Sequence, residues 1–137
     1  MSIRYKFLFA CLLLIFALPE TILFAGSHEK PIHQLSQFGK TLQVSNANDA
    51  LKSLLASNPF YPDGLQYADQ LVLHYENLVN SVGKVTHFTV TQERELAKHL
   101  HYLQCYTEHA QGGIIWEFEF GLREQEWFLT KIYFAKQ

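Results

Sequence analysis

Disulfide pairs, basic charge, glycosylation sites and membrane-length apolar runs are all missing from this chain, and each absence narrows what it can be. Two cysteines occur in 137 residues. Cys11 lies inside an N-terminal apolar run, so Cys105 stands alone in the remainder and has no intrachain disulfide partner. The fold must rest on its hydrophobic core, for which a domain of about 100 residues suffices. Eleven Lys+Arg against thirteen Asp+Glu give a net charge of −2. With no basic excess to neutralise phosphates, no nucleic-acid partner is expected. No Asn-x-Ser/Thr sequon occurs, since Asn58 precedes Pro59 and Asn80-Ser81-Val82 fails at its third position. No uncharged stretch reaches the ~20 residues of a spanning helix. There is no internal repeat, and the length fits one domain.

What the chain does have is apolar bulk, 48% hydrophobic and 15% aromatic, with eleven Phe and seven Tyr. Its N-terminus is built like a targeting segment. Arg4 and Lys6 precede the charge-free run Phe7–Leu18, Pro19 and Glu20 close it, and Ala25-Gly26 offers small residues for cleavage. That order describes a secretory signal peptide over residues 1–25. Export to the periplasm or the medium follows, with a membrane contact only through this segment if it stays uncleaved. Residues 26–34 read as a linker and 35–137 as a single α+β domain.

Within that domain, Ile32, Leu35, Phe38 and Leu42 fall at helical spacing, interrupted by Gly39. A second helix opens at Asn46, a capping residue with Asp49 three positions on, and Asn58-Pro59 ends it. The third is the best specified. Pro62 and Asp63 start it, and Leu65, Ala68, Leu71, Val72, Tyr75, Leu78, Val79 and Val82 form one stripe. Gly83 stops it. Asp69, His74 and Glu76 lie off the stripe.

From Lys84 the period becomes two. Val85–Thr91 reads as a strand, and Ile114, Trp116, Phe118 and Phe120 alternate with Ile115, Glu117 and Glu119. Trp127–Ala135 is apolar on both faces apart from Thr130 and Lys131. Gln111–Gly113 and Gly121–Gln125 are the turns. Glu93–Tyr106 fits a helix or two strands. Two arms reversing near Ala97 complete a four-stranded antiparallel meander, which is the reading adopted.

Several residue groups could carry chemistry. His99, His101 and Cys105 would share one strand face, but His99 and Cys105 are then about 20 Å apart, too far for one ion. A two-histidine site would need His87 from a neighbouring strand; no metal is expected. Cys105 lacks an adjacent base and reads as a buried structural thiol. Glu117 and Glu119 alternate away from the aromatic face and read as a solvated sheet surface. The aromatic face itself gathers Trp116, Phe118, Phe120, Phe128 and Phe134 under Tyr75 of the third helix. No motif points to a cofactor, and no catalytic residue is assigned.

Three helices before an antiparallel meander, with Arg94-Glu95-Leu96, Leu100 to Tyr106, the strand Ile115–Phe120, and Trp127-Phe128-Leu129 running to Phe134, resemble the nuclear transport factor 2-like superfamily, in particular its small exported bacterial members. The likeness spans residues 35–136. It departs at Ala97, where a glycine is usual, and at Gly121-Leu122-Arg123 in the turn. The resemblance implies a cone-shaped fold of helices on a curved sheet, and an apolar interior in which Tyr75, Trp116, Phe118 and Phe120 would line a pocket for a small apolar ligand. It also implies pairing of two copies through the sheet. Non-enzymatic binding is the favoured function. An isomerase- or dehydratase-like activity on a small apolar substrate is the alternative, and it would need an acid–base pair inside.

Overall fold

The computed structural model describes residues 28–56 and 64–137. The expected signal segment, the expected Asn58-Pro59 stop and the expected Pro62-Asp63 start lie outside the described residues. Within them, three helices, α1 (Pro31–Val44), α2 (Ala47–Ala56) and α3 (Gly64–Val82), precede four strands. These are β1 (Val85–Ala97), β2 (Leu100–His109), β3 (Gly112–Arg123) and β4 (Glu126–Lys136), paired antiparallel in the order β1-β2-β3-β4. The class is α+β, helices packed on one face of a meander.

Local chemistry sets most boundaries. The Asn46 side chain accepts the Asp49 N–H at 2.8 Å, and the Asp49 carboxylate accepts from Asn46 and from Ser45, so α2 opens on a reciprocal cap. Gly83, at φ 85°, closes α3 with its N–H on the Val79 carbonyl at 2.7 Å. The first helix starts earlier than the linker expectation. Pro31 sits in its first turn, where a missing N–H costs nothing, so residues 31–34 belong to α1. No described helix is long and apolar enough to cross a membrane.

The ambiguous segment forms the two strands: β1 and β2 reverse at Lys98-His99, and Ala97 pairs with Leu100. Other turns are tighter than their glycines suggest. The β2–β3 reversal is Ala110-Gln111, and β3 continues through Gly121–Arg123 to a turn at Glu124-Gln125, both residues at positive φ.

Gly39 has a packing role that its helix-weakening composition hides. A Cβ built there would stand 2.3 Å from the Phe88 ring, so α1 meets β1 only because this position is bare. Phe38, next to it, holds Phe88, Trp116 and Phe118 edge-on at 5.4–5.9 Å. Gly39→Ala should therefore destabilise by about 1–3 kcal/mol through overpacking, even though alanine gains about 0.8–1 kcal/mol of helix propensity. In a Phe88→Ala background the sign should reverse, which urea melts of the four chains in the cycle would show.

Candidate functional site

The inner sheet face is where the aromatic residues converge. Trp116, Phe118 and Phe120 alternate inward from β3 and are 0% exposed, and Tyr75 of α3 is 4% exposed above them. Tyr75 lies 5.2 Å from Trp116, which stacks parallel to Phe118 at 6.0 Å and meets Phe134 at 4.6 Å. With no surface that even a water can touch, the three β3 rings are packed core. Phe134 belongs to this group, but Phe128 does not. The β3–β4 register slips between Glu119 and Phe120, so Phe128 pairs with Gly121 on the opposite face, and Leu129 takes the inward place beside Phe120. A Cβ on Gly121 would meet the Phe128 ring at 3.2 Å, so that ring fills the space a side chain would occupy.

Among the described residues, the buried polar side chains Thr107 and His109 meet in this core and satisfy one another. The His109 Nδ1–H donates to the Gly83 carbonyl at 2.7 Å, which turns Nε2 toward Thr107. The Thr107 hydroxyl is hydrogen-bonded to that Nε2 at 2.9 Å and accepts the Trp116 indole N–H at 3.0 Å. The Ile114 carbonyl, at 3.5 Å, is a longer alternative acceptor for Thr107. The chain of bonds ties the α3–β1 junction to β2 and β3. Its atoms are spent on the fold.

Two other groups of the interior, Cys105 and Tyr75, keep their protons. Burial pushes the Cys105 thiol up to about 12 and the Tyr75 phenol to about 12. A thiol so far above neutrality has no thiolate to attack with.

On the outer face, Glu117 and Glu119 stand where alternation puts them. The Tyr102 hydroxyl donates to Glu117 at 2.8 Å, and burial first, then this carboxylate, raises the phenol's pKa. Arg94 lies 4.9 Å over the Tyr102 ring, Lys131 is 3.8 Å from Glu119, and Tyr133 is 54% exposed.

The histidines separate. His99 is in the β1–β2 turn, His87 is exposed on β1, and His101 points inward with Leu103 and Cys105. His101 packs against Trp127 at 4.8 Å. Its ring nitrogens face Glu93 at 3.8 Å and Glu95 at 4.0 Å, and Nδ1 is buried without a hydrogen bond. The two glutamates were not foreseen as its neighbours. The two-residue turn after Ala97 would by itself set Leu96 opposite His101, and the register shift between Glu95 and Ala97 brings Glu95 there instead. Among the described residues, no three His, Cys, Asp or Glu side chains converge as a metal site would need. A separate groove of about 220 Å³ runs between α1 and α2, lined by Gln34, Gln37, Thr41 and Ser53 over Phe38 and Leu54. Glu29 and Ala50 complete its lining.

Compared with protein-family models, with curated proteins and with solved structures, the chain matches none. The functional reading therefore rests on the geometry and on the motifs in the sequence.

Proposed function

We propose that this is an exported, non-enzymatic interaction module of the nuclear transport factor 2-like type, and that it works through the outer face of its sheet. Export rests on the pattern of residues 1–25, and the family on the strand motifs. The observation that carries the non-enzymatic part is the occupancy of the interior. His109, Thr107 and the Trp116 N–H are bonded to one another or to backbone, and Cys105 and Tyr75 hold their protons to about pH 12. An isomerase or dehydratase needs an acid and a base within about 3.2 Å of the substrate atoms they serve. None of these groups is free for either task, and His101, whose Nδ1 has no hydrogen bond, lies against Trp127 at the β1–β2 turn end of the sheet.

The outer face has the features of an interface. Tyr and Arg are enriched where proteins meet, and Arg94, Tyr102 and Glu117 already hold one another in place, so little side-chain freedom remains to be lost on binding. Arg94 and Lys131 share this face with Glu117 and Glu119, which makes it complementary to itself across a two-fold axis. The occupant proposed is a second copy of the chain. Sedimentation equilibrium over a concentration series should give a dimer that Tyr133→Glu converts to monomer without unfolding. A wild-type protein that stays monomeric up to about 1 mM, the affinity range of the weakest contacts, would overturn the pairing.

A further inference from the structure

We draw no further inference here: the strongest candidate, the Glu93–Glu95 carboxylate pair beside His101 and Trp127 at the β1–β2 turn end of the sheet, is an acidic cluster for which no second observation in the structure points to a ligand.

Discussion

Replacing Trp116 by alanine should cost about 3–5 kcal/mol, the range for deleting a large buried aromatic side chain. The indole is fully enclosed between Tyr75, Phe38, Phe118 and Phe134, so its removal leaves a void lined by rings from two helices and two strands. Those rings cannot collapse into it without moving the helices. A loss of that size consumes much of the stability of a small domain, roughly 5–15 kcal/mol. Trp116→Phe keeps most of the ring volume and removes only the N–H, so it should cost less and keep the protein folded for measurement. Glu117→Ala, one residue away on the other face, loses a half-exposed hydrogen bond from Tyr102 and should cost only about 0.5–1 kcal/mol. Urea melts of the three variants check the assignment of faces. Equal losses at positions 116 and 117 would contradict it.

The second large effect is expected at Thr107. Valine there has nearly the same shape, but it leaves both the Trp116 N–H and the His109 Nε2 buried without a partner. At about 1–3 kcal/mol for each unsatisfied buried group, Thr107→Val should cost about 2–6 kcal/mol. Thr107→Ser keeps the hydroxyl and gives up one methyl, a loss near 1 kcal/mol. Thr107→Val must therefore be the worse of the two by denaturant melt. The opposite order would mean that the methyl packing, rather than the hydrogen bonds, secures this position.

How much of this could be read from the chain depends on whether a signal is local. The Asn46 cap with Asp49 and the Gly83 stop are short-range chemistry, and both stand where the residues put them. The β3 alternation is also local, so Trp116, Phe118 and Phe120 face inward as expected. What escaped depends on pairing between distant segments. The register slip near Thr130 moves Phe128 to the other face, and nothing in Trp127–Ala135 marks it, because that strand is apolar on both sides. Gly39 reads as a weak point in a helix until Phe88 arrives from β1 to fill the gap. The Thr107–His109–Trp116 bonds require the β2–β3 register and the α3–β1 junction together. The same holds for Glu93 and Glu95 beside His101, since their strand assignment stays open until β1 and β2 pair.

Occupancy of the interior is the central claim, and the Trp116 indole N–H is its most direct reporter. Benzene is small and apolar enough to enter a dry cavity of about 150 Å³. The indole resonance of Trp116 should be followed by nuclear magnetic resonance while benzene is added to the folded domain. The packing described here predicts no shift of that resonance at benzene saturation and slow exchange of its proton with solvent. A saturable shift at Trp116, accompanied by shifts at Phe118 and Tyr75, would show a ligand-accessible interior and would contradict the account.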